Sequence, residues 1–408
     1  MILPDEFYCR TPQERELLAL VADLADRFAE RATQHDRAGS FPHENIADLR
    51  AAGYLRLTVP ASAGGQGAGV FPMVLAQERL ARGDGSTALA VGWHLFTIGR
   101  LAAAAGAWPR AAREQVFQAA ATEGTLINAA VSEPATGSPS RGGRPTTTAR
   151  REGDGWVLTG RKTFTTMSPA LGLFIVSASA DGIDRTASFL VPAGSAGLRV
   201  EETWDAMGMR ATGSNDLVLE EVRVPADALV EPSPEAGEDG GGAELRGGAT
   251  AGWNLHIPAA YLGVARAACE FAVDFAVRRR PNSLQGSIAE VPHVQSKLGE
   301  MQRQLLPAYN LLFTLARRWD DDPAARSQMG NAVSACKLVV MDAALATVDL
   351  AMRVVGGAGL SRSLPLERYY RDVRPGLHNP PMEDAVIAAM ARQVTAQAEA
   401  RLGTLQQG

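Results

Sequence analysis

A chain of 408 residues, 46% hydrophobic and 21% charged, carries enough apolar material for more than one packed core and too much for a disordered protein. Its 40 Lys and Arg against 45 Asp and Glu leave a formal net charge of -5, which excludes the basic footprint of a nucleic-acid-binding surface. Its apolar stretches are interrupted by charges, as Leu338 to Met352 is by Asp342 and Asp349, so no membrane span is expected. Met1-Ile2-Leu3-Pro4-Asp5-Glu6 lacks the basic start and apolar run of a secretory leader. The three cysteines (Cys9, Cys269, Cys336) and six histidines are scattered without metal-ligand spacing. Neither a disulfide framework nor a protein metal site is therefore expected, and a reducing cytoplasmic compartment is.

Thr11-Pro12 supplies a helix cap followed by proline at the first helical position, and Leu17, Leu20, Leu24 and Phe28 then recur at helical spacing. Ala61 to Gly69 reads as a loop. Helical patterning returns from Leu75 to Leu80 and from Ser86 to Ala105, which makes residues 1–125 an N-terminal helical domain. Asp154-Gly155 then separates the β-prone runs Thr146 to Arg150 and Trp156 to Gly160, a hairpin signal. Leu173 to Ser177, Ala187 to Val191 and Leu217 to Val224 predict further short strands, so residues 126–230 read as a compact antiparallel β domain. Residues 231–249, rich in Gly, Glu and Pro, read as a flexible linker. Ala259 to Arg280, His293 to Trp319, Ala324 to Val355 and Glu383 to Leu402 predict a C-terminal four-helix bundle over residues 250–408. The class is α+β, in the order α, β, α.

Three segments within this order resemble signatures of the acyl-CoA dehydrogenase superfamily, and the likeness runs from about Thr11 to Gln393. Ser132-Glu133-Pro134-Ala135-Thr136-Gly137-Ser138 is similar to the family's T-E-P-x-A-G-S. Gly155-Trp156-Val157-Leu158-Thr159-Gly160-Arg161-Lys162-Thr163-Phe164-Thr165-Thr166 is similar to its G-W-x-L-x-G-x-K-x-W-I-T. Trp204 to Ser214, followed by Val222-Arg223-Val224-Pro225, looks like the strand and hairpin before its V-R-V-P. Each match alone is weak; an isolated Phe164 would be read as an ordinary core aromatic on a strand. Their order and spacing together carry the resemblance.

The resemblance implies a bound FAD. Val131 and Ser132 would approach the pyrimidine edge and N5 of the flavin, Phe164 would stack near the ring, Thr166 would bond to it, and Ser138 would meet a thioester ligand. Arg279 and the glycines Gly356 and Gly357 would hold the adenosine end in a neighbouring subunit, which implies a homodimer or homotetramer. Arg353 stands where the family has glutamine, Arg280-Pro281 follows Arg279 in place of F-G, and Pro292 replaces another adenosine-contacting glutamine. These departures leave FMN as the alternative cofactor.

Counting on from Leu366-Glu367-Arg368-Tyr369-Tyr370-Arg371-Asp372, which resembles the family's V-E-R-x-x-R-D, places the catalytic glutamate at Pro380, within Asn379-Pro380-Pro381-Met382. The position used by a minority of members, on the first bundle helix, falls at about Trp253. Neither residue accepts a proton. Three readings follow. The first is α,β-oxidation of an acyl thioester, on coenzyme A or a carrier protein, with hydride passing to flavin N5 and a displaced base among His378, Glu383 and Asp384; the closeness of the β-domain motifs to dehydrogenases favours it. The second is a reduced-flavin, oxygen-dependent monooxygenase of the same fold, with His94, Asn128 and His378 as polar groups. The third is a non-catalytic flavoprotein or interaction protein. Glu383 and Asp384 also fit the simpler role of acidic residues in the first turn of a helix.

Overall fold

The computed structural model describes residues 4–104, 106–136, 143–232 and 248–406. Ser138 and most of the 231–249 linker lie outside the described residues. Five helices come first: α1 (Pro12–Ala38), α2 (His43–Ala51), α3 (Val70–Gly83), α4 (Gly85–Ala103) and α5 (Arg110–Thr122). The start of α1 follows from its sequence. The Thr11 hydroxyl accepts the Glu14 N–H at 3.2 Å, the Glu14 carboxylate returns to the Thr11 N–H at 3.3 Å, and Pro12 needs no N–H partner. Leu18, Val21, Leu24, Ala25 and Phe28 then form its buried stripe. Gly83 lets α3 cross α1 closely, since a Cβ there would sit 2.0 Å from the Ala25 carbonyl oxygen.

The middle of the chain forms one eight-stranded sheet. Its strands are β1 (Leu126–Ala130), β2 (Thr148–Glu152), β3 (Gly155–Thr165), β4 (Leu171–Ala180), β5 (Thr186–Pro192), β6 (Leu198–Glu201), β7 (Asn215–Val224) and β8 (Leu229–Glu231). They run in the order β6-β7-β3-β2-β4-β5-β8, with β1 beside β4. The expected hairpin is β2–β3, with Glu152 opposite Gly155. The sheet is mostly antiparallel, but β1 and β2 each pair with β4 in parallel. Parallel partners need a long crossover and no tight turn, so local turn signals could not reveal them.

The C-terminal part contains α6 (His256–Arg278), α7 (Pro292–Asp321), α8 (Gly330–Val355), the short α9 (Leu366–Asp372) and α10 (Glu383–Gln406). The predicted start of α8 at Ala324 is instead a 3-10 turn, Pro323–Gln328. The first three long helices share the main core with α3 and α4. The fourth, α10, buries Val386 and leaves Ile387, Met390 and Val394 exposed. Among the described residues no helix is long and apolar enough to cross a membrane, and no group of three metal-binding side chains is present.

Two buried groups fasten the layers together. His94 on α4 donates from Nε2 to the Leu55 carbonyl at 2.8 Å and accepts the Ile127 N–H of β1 on Nδ1 at 3.2 Å. Asp372 on α9 accepts the Met209 N–H at 2.6 Å, while Arg371 reaches Asp36 at 2.6 Å and the Met207 carbonyl at 3.0 Å. The loop before β7 is thus tied to both helical domains.

Both fastenings are pH-dependent, with opposite sign. Burial lowers His94 and His256 from 6.5 to about 4, so both are neutral at pH 7. Unfolding lets them bind protons between those values, and the stability they contribute is lost as pH falls through that window. Each should cost about 2 kcal/mol on going from pH 7 to 5, and His94→Gln should remove one share, read from urea unfolding at the two pH values. Asp372 behaves conversely. Burial, only partly offset by Arg368 and the Met209 N–H, raises it from 3.8 to about 7. Its stability contribution is therefore complete below about pH 4 and lost as pH rises through 7. Asp372→Asn should flatten that decline between pH 5 and 7 in the same measurement.

Candidate functional site

The two signatures of the β domain end side by side. Val131 and Ser132 leave β1 half-buried, and the Thr163 N–H donates to the Ser132 carbonyl at 2.9 Å. At the next residue β3 breaks from its strand geometry: Phe164 has φ 55° and is 63% exposed. A non-glycine residue in this left-handed region carries about 1–3 kcal/mol of strain, which the surrounding bonds must hold. The Trp204 ring meets Phe164 edge-on at 6.0 Å between centroids and is fixed by its Nε1–H donating to the Met209 carbonyl at 3.0 Å. Met207, 58% exposed, lies on the same loop. The result is an apolar, aromatic shelf beside the backbone edge of Val131-Ser132.

Thr166 lies at the polar end of this shelf, and a chain of hydroxyls sets its hydrogen-bonding character. Thr212 Oγ1 donates to the Met209 carbonyl at 2.9 Å. It must then accept from Ser214 Oγ at 2.8 Å, and Ser214 in turn accepts from Thr166 Oγ1 at 2.9 Å. With its proton committed, Thr166 Oγ1 offers an acceptor to a ligand N–H. A planar ring with an apolar face and a polar edge fits this arrangement: Phe164 for the face, the Val131-Ser132 backbone and Thr166 for the edge. Asn128 supports the same corner by donating from Nδ2 to the Thr166 carbonyl at 3.1 Å.

Beneath the shelf, Glu133 and Lys162 form an ion pair at 2.6 Å with neither side chain exposed. Burial pushes the Glu133 carboxyl up, but bonds from Lys162, Thr146 and Thr147 hold it down at about 2; burial lowers the Lys162 ammonium. This pair, the hydroxyl chain and Lys337 (below) escaped the sequence reading. Glu133 and Lys162 stood in plain view inside the two signatures, but only folding brings them together.

The other candidates separate. His94 has both ring nitrogens bonded to backbone and is fully buried, a core fastening with no face left for substrate or oxygen. His378 is exposed at the end of a 3-10 turn. Glu383 and Asp384 are exposed in the first turn of α10. Arg279 is exposed just past α6, and Gly356 and Gly357 follow α8 with open space around their Cα atoms, Gly356 at φ 68°. Since α6, α7 and α8 run up, down and up, these residues share one end of the bundle.

The two positions expected from the sequence for a base, Pro380 and Trp253, are both held by their neighbours. The Lys337 ammonium donates to the carbonyls of Asn379 and Pro381 at 2.9 and 3.2 Å, and the Tyr261 hydroxyl donates to the Asn379 side chain. Pro380 is thus held between two anchored neighbours. Trp253 is buried against α4, where a Cβ on Gly99 would lie 2.5 Å from its ring, and its carbonyl accepts His256 Nδ1 at 2.9 Å. Two grooves of about 570 and 470 Å³ run along the N-terminal segment and include none of these residues.

Known proteins share the organisation of this chain. Models of the acyl-CoA dehydrogenase N-terminal, middle and C-terminal domains match residues 11–121, 128–222 and 254–376. The chain is 48% identical to the putative acyl-CoA dehydrogenase YdbM of Bacillus subtilis, over 95% of this chain and 98% of that protein. It is 30% identical to the mitochondrial short-chain specific acyl-CoA dehydrogenase of Mus musculus, over 90% and 83%. Among solved structures, KijD3 in complex with FMN and dTDP-3-amino-2,3,6-trideoxy-4-keto-3-methyl-D-glucose superposes with a TM-score of 0.83 at 28% identity, covering 96% of each chain. The chain belongs to the acyl-CoA dehydrogenase family, with that family's three-domain architecture and flavin-dependent oxidoreductase character.

Proposed function

We propose that this flavoprotein is a reduced-flavin, oxygen-dependent monooxygenase acting on a small molecule. The observation that carries the reading is the pair of base positions, Pro380 and Trp253, neither able to accept a proton and both anchored by their surroundings. Oxidation of an acyl thioester needs a group within hydrogen-bond reach of the proton beside the carbonyl. His94 is fully engaged elsewhere, and His378, Glu383 and Asp384 face outward. Monooxygenation has no such requirement. When bound, the flavin supplies the electrons and the site of oxygen activation.

The chain's own residues then hold the ring and set its surroundings. Phe164 covers the apolar face, the Val131-Ser132 backbone meets the polar edge, and Thr166 accepts from a ring N–H, which suits the reduced form. Arg279, Gly356 and Gly357 from a second copy hold the phosphate end, and Ser138 contacts the substrate. Arg280, Arg353 and Pro292 replace side chains an adenosine would use, which supports FMN over FAD; the FMN in the KijD3 structure points the same way. Acyl-thioester oxidation remains the second reading, supported by the likeness to YdbM and the mouse dehydrogenase. The three buried, unpaired thiols support a cytoplasmic setting.

An enzyme that receives reduced flavin should bind that form in preference. Anaerobic titration should give a Kd for reduced FMN about tenfold or more below that for oxidised FMN, a difference of about 1.4 kcal/mol. Tighter binding of the oxidised form would oppose the monooxygenase reading.

Self-association is part of the same proposal. Ile387, Met390 and Val394 recur at helical spacing on α10 with 54%, 38% and 64% exposure, a stripe suited to a second copy. Sedimentation should give a dimer or tetramer, and Ile387→Asp with Val394→Asp should shift it toward monomer.

A further inference from the structure

Glu133 and Lys162 sit in the two signature segments, yet neither touches the shelf. A fully buried ion pair is poor evidence of stabilisation, because desolvation opposes the attraction. The remaining bonds of the pair suggest what it does instead. The Glu133 carboxylate is spent on Lys162 and on the bend leading into β2, accepting the N–H groups of Thr146 and Thr147 at 2.6 and 3.0 Å and the Thr146 hydroxyl at 2.5 Å. The Lys162 ammonium has one more bond, donated to Ser177 Oγ on β4 at 3.0 Å. Ser177 Oγ, with a lone pair engaged by that cation, donates its own proton toward the Val131 carbonyl at 3.5 Å. That carbonyl belongs to the same peptide as the Ser132 N–H, which has no acceptor among the described residues.

We propose that Lys162 is a positioning residue for the flavin: through Ser177 and the Val131–Ser132 peptide it orients the Ser132 N–H and strengthens it as a donor to the polar edge of the ring. A carbonyl that accepts from a cation-polarised hydroxyl pulls electron density from its own amide, and hydrogen bonds in such a chain reinforce one another. A stronger donor at the edge stabilises negative charge as the ring takes up electrons. The assignment rests on the flavin reading above and adds the source of control over the bound cofactor. Glu133 balances the cation and fixes its direction, which leaves Ser177 as the outlet.

The test separates tuning from folding. Ser177→Ala removes the relay hydroxyl and leaves the ion pair intact; Ser177→Thr keeps a hydroxyl; Glu133→Gln with Lys162→Met removes both charges together. The readout is the ratio of Kd values for oxidised and reduced FMN, measured anaerobically, beside the thermal midpoint of each variant. Ser177→Ala and the double variant should weaken reduced FMN about tenfold more than oxidised FMN, with Ser177→Thr restoring the parental ratio. A purely structural role would move the thermal midpoint or both Kd values together. An unchanged ratio in Ser177→Ala would overturn the proposal, whatever becomes of the double variant. Failure of the unaltered protein to bind either form would instead overturn the flavin reading itself.

Discussion

The site depends on holding two strand ends in register where neither has a regular ladder to hold it. β1 stops at Ala130 and β3 leaves strand geometry at Phe164, so the residues at the shelf edge lie beyond their own sheet bonds. The buried Glu133–Lys162 pair spans that gap, with Thr146, Thr147 and Ser177 recruiting the strands on either side. A pair this deeply buried is costly to break, because removing one partner leaves an uncompensated charge, typically at about 3–5 kcal/mol. The same feature makes it a rigid reference point. Phe164 can remain in a strained, exposed conformation because the backbone on each side is fixed.

The helical layers fix the other side of the shelf. Asp372 and Arg371 on α9 seize the loop that carries Trp204 and Met207, and His94 fastens α4 to β1. Contacts within the β domain and contacts between domains therefore converge on one loop and one strand end. That convergence explains why residues far apart in sequence belong to one functional unit. It also explains why a histidine that looked chemically useful proves to be a strut: with both nitrogens bonded to backbone and burial holding it neutral, His94 has nothing left to give.

Much of this was legible in the sequence for identifiable reasons. Thr11-Pro12, the periodic leucines of α1 and Asp154-Gly155 are local signals, and they foretold α1 and the β2–β3 hairpin. The motif spacing led to Val131, Ser132, Phe164 and Thr166, which the fold brings to one shelf. Other features are non-local and left no such mark. The parallel pairing of β1 with β4 joins segments with no turn between them. The Glu133–Lys162 pair joins residues of two motifs, and Lys337 clamps a loop more than forty residues onward. In each case the partner is chosen by the fold, and only one half of the interaction can be read along the chain.

The most distinctive feature remains chemical. The family resemblance places its catalytic carboxylate, by counting along the sequence, at a proline or at a buried tryptophan in this chain, and on that alignment neither position carries a proton acceptor. Lys337 and Tyr261 hold the proline segment, and Gly99 accepts the tryptophan ring, so both segments are packed and anchored. The most direct measurement is the visible spectrum of the protein loaded with oxidised flavin during anaerobic addition of butyryl-CoA and longer saturated acyl thioesters. The flavin band should persist unbleached. Bleaching on the timescale of turnover, with formation of the enoyl product, would contradict the account and show that a base is present after all.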